Sequence, residues 1–356
     1  MNEWKTVRLG DYITEYSVKN KNCEDIPVYS VTNTQGFCTE YFSKDVSSKD
    51  KSNYKIVPRG YFAYNPSRIN VGSVDWQRYE DRVIVSPLYN VFGVSNELDN
   101  QYLYYFIKSD FGNHLIKSKA EGSVRDNLKL SMLSEFPIPM PPLAEQKHIA
   151  AILDKTQKII AEHKQMLQKY DTLIKSRFIE MFGDPRINSK NLPSVKFIDV
   201  IKLQRGFDLP VQERDSTGTI NVYGSNGVLG KHNEIKVKGP GIVTGRSGTL
   251  GKVYYVLEDY WPLNTTLFSV DTHGNNVIYL KYLLEAFELE RFTEGAGVPT
   301  LNRNIVHEKE IINAPLELQQ QFASFVQQID KSKFAVQKSL EKTETLYKSL
   351  MQQYFG

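Results

Sequence analysis

Two long stretches of the chain place seam residues, most of them apolar, at alternating spacings of three and four, the period of a coiled-coil helix. The first seam runs from Ile149 to Ile174 and the second from Phe322 to Tyr354. Polar residues interrupt the apolar seams at His163 and Lys333, and single polar seam positions commonly fix how helices pair. Each segment of about forty residues predicts a helix of roughly 60 Å.

The two helices belong to an internal repeat. The string PLAEQKHIAAIL, which begins at Pro142, matches PLELQQQFASFV, which begins at Pro315, at an offset of 173 residues. The same offset relates Gly183 to Gly356, so the two helical segments have equal length. Proline before a helix and glycine after it are common boundary signals. Weaker matches precede each helix in the same order, which predicts a globular domain followed by a long helix in each half.

The globular halves carry short β-branched runs, such as Val83-Ile84-Val85, between Gly, Pro and Asn residues, with a few helical pieces. This pattern predicts an α+β fold with irregular β-rich sheets and long loops. The predicted domains are residues 1–142 and 184–315, and the predicted helices are residues 143–183 and 316–356.

The link after the first helix limits how the two helices pair. About a dozen residues separate Phe182 from the strand-like run at Val195, and they span at most roughly 40 Å. A parallel pair would require the chain to return along a rod of roughly 60 Å. We therefore predict an antiparallel coiled coil that joins and separates the two domains as a pseudo-two-fold repeat, with Gly356 near the start of the first domain.

Composition and charge narrow the classes of function. No apolar run approaches the length needed to cross a bilayer, which predicts a cytoplasmic protein without a membrane partner. Cys23 and Cys38 support neither a disulfide framework nor a zinc site, and the histidines lack spaced ligand partners, so we expect no metal. With 44 Lys+Arg against 41 Asp+Glu, any nucleic-acid surface must be a local patch.

Two motifs are similar to catalytic or nucleotide-binding sequences, and both are incomplete. Asn65-Pro66-Ser67-Arg68 resembles the motif of adenine-N6 methyltransferases but lacks its second proline and the aromatic residue that stacks on the flipped base. The segment 241–247 resembles a phosphate loop, but Pro240 and Arg246 stand where glycine and lysine are required. We expect no catalytic residue and no cofactor. A stand-alone adenine methyltransferase is the less favoured alternative.

Loops at corresponding places in the two halves carry arginine among small polar residues. Arginine can pair bidentately with guanine and asparagine with adenine, while hydroxyl groups can hold phosphates. Gly, Ser and Asn are also common in ordinary turns, but their recurrence in both halves favours a binding role. The candidate DNA-binding residues are Asn65, Ser67, Arg68, Asn70, Arg125 and Asn127 in the first half, and Arg246, Ser247, Thr249, Lys252, Thr300, Asn302 and Arg303 in the second.

Apolar residues also lie off the helical seams, where a two-stranded coil cannot cover all of them. Exposed apolar stripes of this kind usually mark association sites. The candidate partner-binding residues are Ile152, Ile159, Met166, Leu173, Phe178, Phe325 and Leu346.

The order PPLAEQKHIAAILD, FIEMFGDP, PLELQQQFASFVQQID and terminal YFG resembles the specificity subunits of type I restriction-modification enzymes over the whole chain. The resemblance implies two target recognition domains that read separate half-sites of double-stranded DNA, with the helices as spacers. It also implies two methyltransferase subunits docked on the helical core and motor-nuclease subunits that join for restriction. Methylation and ATP-driven cleavage then belong to those partners. The second copy departs at Ala314 and LELQQ, and a coiled-coil scaffold that binds protein instead of DNA is the remaining alternative.

Overall fold

The computed structural model describes residues 4–39, 50–120, 127–295 and 299–356. The chain divides into two compact units. Unit 1 comprises Met1–Glu162 and Ser339–Gly356, and unit 2 comprises His163–Lys338. Each of the two long helices therefore contributes residues to both units.

Unit 1 contains short strands and a four-stranded antiparallel sheet. Its strands are β1 (Thr6–Arg8), β2 (Ile13–Glu15), β3 (Ser30–Thr32), β4 (Gly36–Cys38), β5 (Lys55–Pro58), β6 (Phe62–Tyr64), β7 (Val74–Trp76), β8 (Arg82–Val85), β9 (Asn90–Val94) and β10 (Pro137–Pro139). Its helices are α1 (Asn100–Lys108), α2 (Asp110–Ala120), α3 (Leu130–Leu133) and the first part of α4 (Leu143–Phe182). The sheet has the order β2-β9-β6-β7, while β1 pairs with β10, β3 with β4 and β5 with β8.

Unit 2 repeats this arrangement. Its strands are β11 (Ser194–Lys196), β12 (Lys202–Arg205), β13 (Ile220–Gly224), β14 (Gly227–His232), β15 (Gly241–Gly245), β16 (Val253–Val256), β17 (Tyr260–Pro262), β18 (Thr266–Asp271), β19 (Thr293–Glu294), β20 (Thr300–Leu301) and β21 (Glu310–Ile312). Its helices are α5 (Phe197–Val200), α6 (Val277–Phe287), α7 (Arg303–His307), the second part of α4 and the first part of α8 (Leu316–Phe355), whose last part belongs to unit 1. The sheet order β12-β18-β15-β16 matches β2-β9-β6-β7 strand for strand, so the predicted internal repeat and α+β class are confirmed. A second sheet has the order β14-β13-β17.

The central strands β6 and β15 are buried along their whole length. Phe62 of β6 stacks on Phe92 of β9 with the ring centroids 5.0 Å apart. Both strands are short and contain few polar residues, the pattern of a strand buried on both faces. They anchor the loops that follow them, which carry the first group of predicted DNA-binding residues in each half.

A buried glutamine ties the start of each long helix to the helix that packs on the sheet. Gln146 accepts a hydrogen bond from the Asp99 N–H at 2.8 Å, and Gln319 accepts one from the Asn276 N–H at 2.9 Å. Asp99 and Asn276 are the N-caps of α1 and α6. Each glutamine also donates to the carbonyl five residues earlier, at 2.9 Å and 2.8 Å. The matching strings at the two helix starts therefore encode the same joint.

Within unit 2, α4 and α8 run antiparallel. Phe178 and Phe182 of α4 pack on Phe322 of α8, with ring centroids 5.5 Å and 5.6 Å apart. Earlier in α4, Asp171 pairs with Lys333, which lies later in α8, at 2.6 Å. Residues later in α4 therefore contact residues earlier in α8, as in an antiparallel pair. Lys333, the polar interruption of the seam, is therefore held by an ion pair.

The same sense of pairing is present within unit 1. Gln157 of α4 donates to the Tyr347 hydroxyl of α8 at 2.8 Å, while Ile149 and Phe355 share one buried core. Position 149 precedes 157 on α4, whereas 355 follows 347 on α8, so the predicted antiparallel pairing is confirmed in this unit too.

A glycine directly follows the last residue of each long helix. The N–H groups of Gly183 and Gly356 donate to carbonyls four residues earlier, at 2.8 Å and 2.9 Å. Gly183 has a φ of +73°, which glycine adopts without a steric penalty. Near the end of the chain, Tyr354 stacks on Trp4 with ring centroids 6.3 Å apart. The last helical turn therefore lies against the first described residues of unit 1, as predicted.

Candidate nucleic-acid interface

The two predicted loops of unit 2 lie together. Arg246 directly follows β15, and its carbonyl accepts a hydrogen bond from the Leu301 N–H at 2.8 Å. Ser247 forms a β-bridge with Thr300 of the second loop. The N–H groups of Arg246 and Ser247 both donate to the Thr265 carbonyl, at 2.9 Å and 3.2 Å. The backbone therefore fixes where the Arg246 side chain begins.

Three arginines line a cleft of about 340 Å³ at these loops. Arg205 ends β12, Arg246 follows β15 and Arg303 begins α7. Glu294 of β19 lines the same cleft. Among the described residues, the only ion pair of these arginines joins Arg205 to the exposed Asp208, at 3.4 Å. We name this surface the arginine cleft.

Sequence reasoning missed two charged residues of the arginine cleft, Arg205 and Glu294. Arg205 is far from both loops along the chain. It reaches them because β12 pairs with β18, which places Arg205 opposite Leu267, and β18 also pairs with β15. Such pairing between distant strands leaves no local signal in the sequence.

His307 of α7 holds β12 in place. Its Nε2 accepts a hydrogen bond from the Leu203 N–H at 3.0 Å, and its side chain is buried. Burial, followed by the nearby cations Arg303 and Lys202, lowers the pKa of His307. The lowered pKa favours the neutral imidazole, which is the form that can accept this hydrogen bond. The bond joins β12, which carries Arg205, to α7, which carries Arg303.

The side chain of Asn302 caps α7. Its Oδ1 accepts a hydrogen bond from the Asn304 N–H at 3.0 Å, as an N-cap asparagine does. Its Nδ2 donates to Oε2 of Glu294 at 2.7 Å. Asn302 therefore orients Glu294 and the start of α7.

Two other predicted residues of this loop are placed differently. Lys252 donates to Oδ1 of Asn226 at 2.7 Å and lines another cavity with Lys175 and Arg186. The structure therefore does not bring Lys252 to the arginine cleft. The Thr249 carbonyl lies so close to Gly245 that a Cβ at that glycine would be 1.9 Å from it, so Thr249 closes the turn.

In unit 1, Asn65 organises the loop that follows β6. Its Oδ1 accepts hydrogen bonds from the Ser67 N–H at 3.1 Å and the Ser67 hydroxyl at 2.9 Å. The Pro66 carbonyl accepts a hydrogen bond from the Leu128 N–H at 3.1 Å, which brings this loop to the segment beginning at Asn127. Arg68 is exposed and lines a cavity of about 400 Å³ with Asn65 and other polar residues.

Asn70 lines a second polar cavity of unit 1, of about 500 Å³, with Lys108, His114 and Lys117. Lys108 donates a hydrogen bond to the Gly72 carbonyl. Gly72 has a φ of +92°, a conformation that favours glycine. Burial lowers the pKa of Lys108, and the carboxylate of Asp75 partly opposes this shift. Arg125, the remaining candidate of this half, lies outside the described residues.

The methyltransferase-like motif, Asn65-Pro66-Ser67-Arg68, stabilises its own loop through hydrogen bonds to Asn65. The Asn65 oxygen that would accept a substrate amino group accepts from Ser67 instead. Among the described residues, no group of three or more His, Cys, Asp or Glu side chains gathers as metal ligands would. Within the same ranges, no helix combines the length and apolar character needed to cross a membrane.

The prediction that Phe178 binds a partner is wrong. Phe178 is 1% exposed and packs in the core of unit 2 against Phe322, because the aromatic contacts of α4 there extend beyond the heptad seam. Met166, Leu173 and Leu346 are exposed. The remaining candidates are half-buried: Ile152, Ile159 and Phe325.

The fold and these clefts define a duplicated protein in which polar cavities with cationic side chains lie at the loops of each unit. The family model for the type I restriction modification DNA specificity domain matches residues 1–169 and 190–344. The chain therefore belongs to the type I restriction-modification DNA specificity family. It is a specificity subunit, the non-catalytic DNA-recognition component of such a system.

Several known proteins resemble the chain. A Mycoplasma pneumoniae protein named as a candidate type I specificity subunit is 27% identical over 213 residues, which cover 56% of this chain and 85% of that protein. The specificity subunit of a Methanocaldococcus jannaschii type I restriction enzyme is 23% identical over 261 residues, covering 59% of this chain and 57% of that protein.

Two solved structures share the fold. A type I restriction-modification S subunit from M. genitalium matches with a TM-score of 0.65 at 15% identity, covering 100% of this chain and 97% of that one. A chain from a study of assembly and conformational transition of a type I restriction-modification system matches with a TM-score of 0.61 at 16% identity, covering 100% and 98%.

Proposed function

We propose that each unit reads one half of a bipartite DNA target. Residues 1–142 and 184–315 act as target recognition domains, and residues 143–183 and 316–356 act as spacer helices. The supporting observation is a shared loop joint: a carbonyl just after the central strand accepts a hydrogen bond from a leucine N–H of the second loop in each unit, Pro66 from Leu128 and Arg246 from Leu301. Arg68 lines the cavity beside the first joint, and Arg205, Arg246 and Arg303 line the cleft beside the second, as contacts to a polyanion require.

The helices carry the assembly role in this proposal. Two methyltransferase subunits dock on α4 and α8, and motor-nuclease subunits join for restriction. Adenine methylation and ATP-driven cleavage take place in those partners, and the complex acts in the cytoplasm. The exposed apolar residues of α4 and α8 support this division, since exposed apolar stripes usually mark association sites.

Methylation mapping tests the proposed function. Genomic DNA from cells that carry this chain with its methyltransferase subunit should show one methylated motif with two specified halves and an unspecified spacer of fixed length. Cells with the methyltransferase subunit alone are the control and should lack the motif. A single uninterrupted motif, or a motif that persists without this chain, would contradict the proposal.

A mobility shift with the assembled complex separates DNA reading from a scaffold role. The complex should retard a duplex that carries the mapped motif more strongly than a duplex with one half scrambled, because two linked contacts bind more tightly than one. Equal retardation of both duplexes would favour the coiled-coil scaffold.

A further inference from the structure

The hydrogen-bonding groups of the arginine cleft in unit 2 fit the edge of a base pair better than they fit a phosphate group. A phosphate group offers only acceptor oxygens and negative charge, so a carboxylate beside it is unfavourable. The major-groove edge of a G·C pair offers the N7 and O6 acceptors of guanine and the N4 donor of cytosine. A surface that contacts both bases of this edge needs donors for guanine and an acceptor for cytosine together.

The arginine cleft combines these groups. Arg246 and Arg303 supply forked guanidinium donors, and no ion pair among the described residues occupies either. Glu294 supplies the acceptor, and its hydrogen bond from Asn302 at 2.7 Å holds the carboxylate at the cleft. A carboxylate can accept several hydrogen bonds, so Glu294 can still accept one from a base while it is bonded to Asn302.

We infer that the half-site read by unit 2 contains a G·C pair whose guanine is recognised by Arg246 and Arg303 and whose cytosine is recognised by Glu294. This inference rests on the proposed function, in which unit 2 contacts one half-site. Asn302 is a positioning residue here, since it acts through Glu294 and α7.

The test is the methylation of DNA libraries, randomised in one half-site at a time, by the complex of this chain with its methyltransferase subunits. The wild-type complex should prefer guanine at one position of the unit 2 half-site by about 5- to 150-fold, the range of a good bidentate contact. Arg246→Ala and Arg303→Ala should each reduce this preference and leave the base preferences of the other half-site unchanged.

Two conservative variants separate base recognition from phosphate binding. Arg246→Lys keeps the charge but loses the fork, so the guanine preference should fall although phosphate attraction is retained. Glu294→Gln keeps an oxygen that can accept from Asn302 and removes a negative charge. It should weaken the preference for the G·C pair without raising the rate on every sequence.

The possible results exclude one another. A uniform loss of rate in the arginine variants with base preference intact, or a uniform gain for Glu294→Gln, would assign the cleft to a phosphate and overturn the inference while the proposed function stands. Unchanged rates and preferences in all four variants would also remove the cleft from the proposed DNA surface.

Lys190→Ala is the matched control, because it removes an exposed cation elsewhere in unit 2. Co-purification with the methyltransferase subunit shows that each variant is folded.

Discussion

Polar residues of the predicted loops that line cavities divide into those whose side chains also hold the loop and those whose side chains do not. Asn65 accepts two hydrogen bonds from Ser67, and Asn302 caps α7. The side chains of Arg246 and Arg303 line the arginine cleft beside Asn302. An asparagine has the same chemistry in either role, so the sequence alone could nominate these residues but could not separate the roles. The hydrogen-bond partner decides between them.

The buried His307 makes the stability of unit 2 depend on pH. Its pKa lies below the ordinary value of 6.5 in the folded state, so the unfolded chain binds more protons between the two values. The stabilisation is complete above pH 6.5 and is lost as the pH falls through the folded pKa. Urea unfolding of the wild type and of His307→Gln, measured from pH 8 to pH 5, should show a smaller loss in the variant, because glutamine accepts the Leu203 bond without titrating. Superimposable pH profiles would contradict this role.

Whole elements differ in how far the sequence predicts them. The long helices, Leu143–Phe182 and Leu316–Phe355, follow from a local heptad pattern. The sheet order β12-β18-β15-β16 depends on pairing between strands distant along the chain, and no local period encodes it. Arg205 was missed for this reason. The repeated glutamine was visible in the sequence, but its role as a buried joint required the structure.

Gln319→Met should destabilise unit 2 by about 1–3 kcal/mol or more, since the buried carbonyl of Ala314 loses its donor and the N–H of Asn276 loses its acceptor. Gln319 is 1% exposed, so water cannot readily replace the lost bond. The urea midpoint of the variant should fall relative to the wild type. Gln320→Met, at an exposed position one residue later, is the matched control and should leave the midpoint nearly unchanged. Equal midpoints for the two variants would show that the joint contributes little.

At the scale of the whole molecule, the internal repeat explains why one chain has two similar sheets, two loop joints and two long helices. The sequence predicted this repeat because its helix signatures recur at a constant offset. It did not predict which off-seam residues the folded chain covers. Phe178 is buried, whereas Ile179 and Phe334, absent from the predicted set, are 46% and 72% exposed. Packing against α6 and α8 decides this, and such packing is not a local property of α4.

The docking role of the helices is tested on an apolar stripe of α4. Met166 and Leu173 lie seven residues apart in the part of α4 that belongs to unit 2, so they share one face of the helix. Met166 and Leu173 are 41% and 46% exposed. The double variant Met166→Asp with Leu173→Asp should abolish co-purification with the methyltransferase subunit, because burying two unpaired carboxylates at an interface is costly.

The double variant Gln165→Asp with Thr172→Asp is the matched control, since it places two carboxylates with the same spacing at neighbouring exposed positions of the same helix. Each aspartate lowers helix propensity by only about 0.5 kcal/mol, so both variants should melt within a few degrees of the wild type. Loss of the methyltransferase subunit from the first variant alone would place the docking face on this stripe. Intact complexes for both variants would require the methyltransferase subunit to dock on a different face of the helices.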